Sequence, residues 1–243
     1  MSAGKRYLDI AREKLDGIME REMEHIEQAA QMVADSCLAG GRFYAFGTGH
    51  SHLIAEELYL RAGGLALVRA ILPPEMMLHE MPNKSTYLER LEGYAEAMAQ
   101  LYEIDEKDTI LVVSNSGRNA VPVEMCMAAK ARGAKVIALT SMAHSGSCQS
   151  RHVSGKKMYE IADVTIDNGA CPGDAALAVD GLGTCIGPTS DVTGVAIAQA
   201  LVCEAVERMV KAGMDVPVFK SSNVDGGDAY NEELFRTYYG YRK

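Results

Sequence analysis

Two short segments hold most of the side chains that can do chemistry. Gly47-Thr48-Gly49-His50-Ser51 and Ser114-Asn115-Ser116-Gly117, the latter followed closely by Asn119, mix glycines with hydroxyl and amide groups, and Thr140-Ser141 adds a third polar pair. Glycine lets a backbone turn tightly and come close to a ligand. Hydroxyls and the N–H groups of a helix start then supply neutral donors, which suits a phosphate with its several strong acceptors. The competing reading is that these serines are only helix N-caps. One such loop favours the cap; two loops and a third strand end favour an anion site.

A reaction that moves a proton between neighbouring carbons needs a base, and often an acid as well. Glu56 and Glu57 lie just inside the helix expected after the first loop, so that one faces the loop and the other faces solvent or a partner. His50 and His52 stand at that helix opening. His144 and His152 lie in a polar stretch beside Lys156 and Lys157. The catalytic candidates are therefore Glu56, Glu57, His52 and His152, each carboxylate having the alternative of an ordinary surface or ion-pair role. A metal held by His50, His52 and a carboxylate is conceivable, but the spacing is not diagnostic; no metal and no cofactor are expected. A dinucleotide site fits poorly. Gly47-Thr48-Gly49 gives only half of G-x-G-x-x-G, with His52 in the third glycine position, and no acidic residue closes the second strand. A P-loop is excluded because no G-K-[ST] follows.

The elements that must position these loops follow from periodicity. Leu8, Ala11, Leu15, Ile18, Met19, Met23, Ile26, Ala30 and Val33 form one helical stripe, predicting a single helix from about Tyr7 to Leu38, stopped at Gly40-Gly41. Strands are expected at 42–46, 65–72, 109–113, 135–139 and 164–166, and helices at about 50–61, within 85–101, at 119–132 and at 191–211. Strands alternating with helices imply right-handed βαβ units. The expected fold is α/β, a five-stranded parallel sheet ordered 2-1-3-4-5, with the polar loops at the carboxyl edge where such sheets hold ligands.

Composition narrows the partners. The chain has 243 residues, 48% hydrophobic and 23% charged, with a formal net charge of −9. That acidic balance leaves no basic stripe for nucleic acid. No apolar run approaches the roughly 20 residues that span a bilayer, and no signal peptide is read at the start. Cysteines 37, 126, 148, 171, 185 and 203 form no C-x-x-C pair and read as reduced, mostly buried thiols. A cytoplasmic protein is expected.

The loops also carry a resemblance. GTGHSHLIAEE at 47–57, VVSNSGRNAVPVE at 112–124 and KVIALTS at 135–141 resemble the SIS (sugar isomerase) domain family, whose loops read G-x-G-x-S and S-x-S-G-x-T. Stretches 150–170, 172–175, 187–194 and 221–228 resemble a bacterial subfamily labelled phosphoheptose isomerase. The resemblance implies a flavodoxin-like three-layer sandwich, a homodimer or homotetramer, and a phosphorylated sugar as ligand. Ser51, Ser114 and Ser116 match the family's phosphate-holding serines. Asn119 stands where the family has threonine. Arg61 stands where phosphoheptose isomerases and the etherase acting on N-acetylmuramic acid 6-phosphate carry a working glutamate. The implied function is an enzyme isomerising (aldose–ketose type) or otherwise transforming a sugar phosphate, the alternatives being a phosphosugar sensor without catalysis or an etherase or lyase acting on an amino-sugar phosphate. Three parts are expected: an N-terminal helix at 1–40 for oligomer contact, the phosphosugar-binding domain at 41–215, and a tail at 216–243 packing on the domain or on a partner subunit.

Overall fold

Near-continuous apolar runs make the central strands, because both of their faces are covered. In a computed structural model describing residues 1–240, β1 (Phe43–Gly47), β2 (Val68–Ile71), β3 (Thr109–Val113), β4 (Lys135–Thr140) and β5 (Val164–Asp167) form one sheet ordered β2-β1-β3-β4-β5. Every pairing in it is parallel. The sheet and its order match the expectation.

The period-two alternation of each strand divides the core. Phe43, Ala45, Leu111, Val113, Ile137 and Leu139 point to one face, where they meet Ile26 and Val33 of α2 (Met23–Leu38), Ile54 of α3 (His52–Leu58) and Leu201 of α8 (Ser190–Lys211). Tyr44, Phe46, Ile110, Val112, Val136 and Ala138 point to the other. There they meet Ala95 and Ala99 of α5 (Tyr94–Leu101) and Val121 and Met125 of α6 (Ala120–Ala131). The result is the three-layer sandwich.

Tertiary contacts break two helices that periodicity runs together. The first is divided at Glu22 into α1 (Ala3–Arg21) and α2. Glu22 leaves ideal helical geometry (φ −111°, ψ −4°), and its carboxylate turns back to accept the Asp167 N–H at the end of β5 (3.1 Å). The helix expected within 85–101 is in fact two, α4 (Lys84–Leu88) and α5, separated by 89–93, where Gly93 has φ +86°. The helix after the first loop stops at Leu58 rather than Arg61, because the chain peels away to pair with the tail: Gly63 N–H donates to Phe219 O and Phe219 N–H to Gly64 O.

The Gly-rich stretch contains an antiparallel hairpin, β6 (Ala175–Leu177) with β7 (Ile186–Pro188), and α7 (Met142–Gly146) follows β4. The tail forms α9 (Gly227–Tyr239) and packs on its own domain. Tyr239 donates its hydroxyl to Val68 O (2.9 Å) and lies 3.9 Å beneath the Arg69 guanidinium. Tyr241, in the tail read from the sequence as packing on the domain or on a partner subunit, lies outside the described residues. All six cysteines are free, but only Cys37 and Cys126 are buried, while Cys185 and Cys203 are exposed. Cys203 lies on the solvent side of α8, and Cys185 lies in the exposed turn of the β6–β7 hairpin, where its apolar neighbours Leu182 and Ile186 are exposed as well. Burial pushes the Cys37 thiol up to about 12. Among the described residues no helix is long and apolar enough to cross a membrane.

Candidate functional site

β1 and β3 are neighbours with Gly47 opposite Val113, so Thr48 and Ser114 leave the sheet side by side. The first loop is held tight by its glycines. A Cβ at Gly47 would stand 2.3 Å from the Ser51 carbonyl oxygen, and Gly49 has φ +57°. His52 pins the turn from beneath. It is 3% exposed, and its Nδ1–H donates to the Gly49 carbonyl, which leaves Nε2 facing Glu56 Oε1 at 3.5 Å. Ser51 stands half-buried at the head of α3, and its hydroxyl makes no cap bond to that helix.

In the second loop, Ser114 is buried and its Oγ accepts the Gly117 N–H (3.2 Å), while Ser116 is half-buried. Gly117 takes φ +58° with Thr140 Oγ1 only 3.1 Å from where a Cβ would be. Asn115 faces away from the crevice. Its carbonyl accepts from Thr140 Oγ1 and Ser141 N–H, and its Oδ1 accepts from Asn168 Nδ2.

The crevice between the two loops is spanned by a residue that sequence reading missed. Glu89, in the break between α4 and α5, accepts the Thr48 hydroxyl on Oε2 (2.7 Å) and the Asn119 side-chain amide on Oε1 (2.7 Å). Its backbone carbonyl also takes the Val121 N–H (3.0 Å). Burial raises the carboxyl above its ordinary value, against the opposing pull of the Thr48 hydrogen bond and the charges of Arg90 and Arg151. The missing signal was conformational. Glu89 lies inside a stretch whose pattern reads as one helix, and only the break there brings its side chain to the loops.

Other expected residues go elsewhere. Ser141 is fully buried and caps α7, donating to Ala170 O (2.6 Å) and accepting from His144 N–H (3.0 Å). Its hydroxyl is spent and offers a ligand nothing. Thr140, also fully buried, ties the second loop to β4. Glu57 faces α8, paired with Arg61 and accepting from Gln199 Nε2 (3.1 Å). Its carboxylate neutralises the very arginine that stands in the family's glutamate position. Glu56 is exposed. His152 leans on α6, with Nε2 3.5 Å from Glu124 and Nδ1 bonded to Ser154. Its neighbour Arg151 reaches the site instead, donating to Asn119 Oδ1 (3.1 Å). On the other side of the first loop, exposed His50 lies within the electrostatic reach of Asp191, whose carboxyl burial pushes up.

The arrangement thus offers neutral donors for an oxyanion at adjacent strand ends, one oriented carboxylate and nearby guanidinium groups. Among the described residues no cluster of three or more His, Cys, Asp or Glu could hold a metal ion.

Comparison with known proteins bears on the fold and the family. The SIS domain model matches residues 6–141. A UPF0309 protein of Halalkalibacterium halodurans is 54% identical over 224 residues, covering 92% of this chain and 93% of its own. A UPF0309 protein of Listeria monocytogenes serotype 4b is 41% identical over 232 residues, covering 96% and 94%. Among solved structures, phosphoheptose isomerase GmhA from Neisseria gonorrhoeae superposes with TM-score 0.55 at 17% identity, covering 83% of this chain and 96% of that one. The sugar isomerase domain of an RpiR transcription factor from Sphaerobacter thermophilus gives 0.53 at 17%, covering 96% and 98%. The NanR protein of Vibrio vulnificus complexed with ManNAc-6P gives 0.52 at 14%, covering 97% and 70%. At these identities the solved structures speak for the fold alone. With a domain match over more than half its length and close full-length relatives, the chain belongs to the SIS-domain family and, within it, to the UPF0309 proteins.

Proposed function

We propose that this protein binds a phosphorylated sugar with the phosphate in the two serine loops, and that Glu89 is the base of an isomerisation carried out there. Ser51, Ser114 and Ser116 supply hydroxyl donors, and the N–H groups at the head of α3 add their own. The carrying observation is the Glu89 carboxylate, held across the crevice by Thr48 and Asn119. A carboxyl raised by burial is a better base near neutral pH than an ordinary one. In an aldose–ketose exchange, Glu89 would take the proton from the carbon beside the carbonyl and return it to the neighbouring carbon, while a second proton moves between the two oxygens. This carboxylate replaces Glu56 and Glu57 in the reading made from sequence.

A second reading, a phosphosugar sensor without turnover, is favoured by Arg61 in the family's glutamate position and its pairing with Glu57. A transcription factor of similar fold exists in the RpiR structure, and the NanR protein of similar fold is complexed with ManNAc-6P. We further propose that α1 mediates assembly, since Leu8 and Met19 are 67% and 61% exposed along its apolar stripe.

Thermal-shift screening of phosphosugars tests the binding, because a ligand that binds only the folded state raises its stability. Ser114→Ala with Ser116→Ala should then weaken the best hit by roughly two to four powers of ten, given about 1.5–3 kcal/mol for each hydrogen bond to a charged acceptor. Unchanged affinity in the folded double variant removes the phosphate assignment. Glu89→Gln should lower turnover about 10²–10⁴-fold with binding kept. A hit that binds but is never converted by the wild-type protein selects the sensor.

A further inference from the structure

Arg90, Arg118 and Arg151 come together from separate parts of the chain, the first and last within the electrostatic reach of Glu89 and Arg118 within that of Arg151. Arg90 follows it at the end of α4, Arg118 belongs to the second loop, and Arg151 comes from the segment overhanging that loop, where its N–H donates to Arg118 O (2.8 Å). Each lies within the electrostatic reach of Arg151, whose guanidinium is held below its ordinary value by burial and then by the charges of Arg118 and Arg90. Among the described residues none of the three forms an ion pair, although thirteen pairs occur elsewhere. The carboxylate nearest to them has both oxygens bonded to Thr48 and Asn119. Arg118 Nε is buried with no hydrogen-bond partner.

Three like charges drawn together in a chain of net charge −9 repel one another, and that repulsion opposes folding unless a ligand offsets it. The position of the cluster argues for a group other than the phosphate. Ser114 lies buried at the sheet edge, whereas Arg90 and Arg151 are exposed at the mouth. The planar guanidinium fork matches a carboxylate in bidentate fashion.

We propose that Arg90, Arg118 and Arg151 form a second anion subsite beside the serine loops, so that the ligand is a sugar phosphate bearing a carboxylate as well. The proposal rests on the phosphosugar reading above for its first subsite and adds the second.

The test is calorimetric titration at fixed ionic strength with glucose 6-phosphate, 6-phosphogluconate and gluconate. The proteins are the wild type, the exposed pair Arg90→Gln with Arg151→Gln, and Ser114→Ala with Ser116→Ala. The wild type should bind 6-phosphogluconate at least about tenfold more tightly than glucose 6-phosphate, a difference of about 1.4 kcal/mol. In the arginine variant that preference should fall to within about twofold, through a larger loss for 6-phosphogluconate than for glucose 6-phosphate. The serine variant should weaken both phosphorylated probes and leave gluconate unaffected. Equal loss for both phosphorylated probes in the arginine variant assigns the arginines to the phosphate and overturns the second subsite. So does the absence of any wild-type preference or of 6-phosphogluconate binding. If instead the serine variant changes nothing while the arginine-dependent preference persists, the serine-loop reading fails and the carboxylate subsite stands.

Discussion

Glu89→Ala removes a side chain that joins the first and second loops. Two hydrogen bonds to a charged acceptor are lost, at about 1.5–3 kcal/mol each, so the gross loss is about 3–6 kcal/mol. The donors left behind are on Thr48 and Asn119, which are 5% and 6% exposed and gain little water in exchange. Against this, the variant no longer desolvates a carboxylate, and that burial is the largest influence on Glu89. A net loss of about 2–4 kcal/mol is expected near neutral pH, after that partial recovery. With an urea slope of about 3 kcal/mol per molar for a chain of this size, the midpoint should fall by roughly 1 M. The pH dependence has a definite sign. The folded-state pKa lies above the ordinary 4.5, so the folded protein holds a proton that the unfolded chain has released. This contribution is fully present below the ordinary value and is lost as pH rises through the folded value. The midpoint difference between wild type and variant should therefore be larger at pH 5 than at pH 8. Urea titrations monitored by circular dichroism at both pH values provide the check, with Glu20→Ala at an exposed site as control. A Glu89→Ala midpoint indistinguishable from the control, or a difference that grows toward pH 8, would refute the clasp and the burial that goes with it.

Gly47→Ala should cost at least about 1–3 kcal/mol, because its Cβ would meet the Ser51 carbonyl; a melting temperature equal to wild type contradicts the tight first loop. Asp174 takes φ +67° and accepts the N–H groups of Thr189 and Ser190 together with the Ser190 hydroxyl at the head of α8. Asp174→Ala should thus cost about 1–2 kcal/mol for the cap plus about 1 kcal/mol of backbone strain, and Asp174→Gly should recover that last part; equal stabilities for the two variants contradict the strain. Met19→Glu, at the exposed stripe of α1, should shift an assembled species toward monomer in light scattering, and an unchanged mass argues against assembly through that helix.

The sheet was legible because its cause is local. Strands covered on both faces must be apolar throughout, and the helices between them carry a visible period, so β3 was read residue for residue and the expected order of the five strands matched the structure. The glycines at 47, 49 and 117 announced their loops for the same reason, since close approach or positive φ restricts the residue at the position itself. What tertiary structure decided are the events in which distant segments compete for one group. Glu22 bends the first helix because the end of β5 offers its N–H. The Thr140 and Ser141 hydroxyls look like ligand donors in sequence but are consumed by Asn115, Ala170 and His144. Glu89 reads as one more exposed helical carboxylate until the chain breaks at 89–93 and swings it between Thr48 and Asn119. The three arginines at 90, 118 and 151 carry no shared pattern along the chain, because their meeting depends on loops at the ends of α4, β3 and α7 closing over the same crevice.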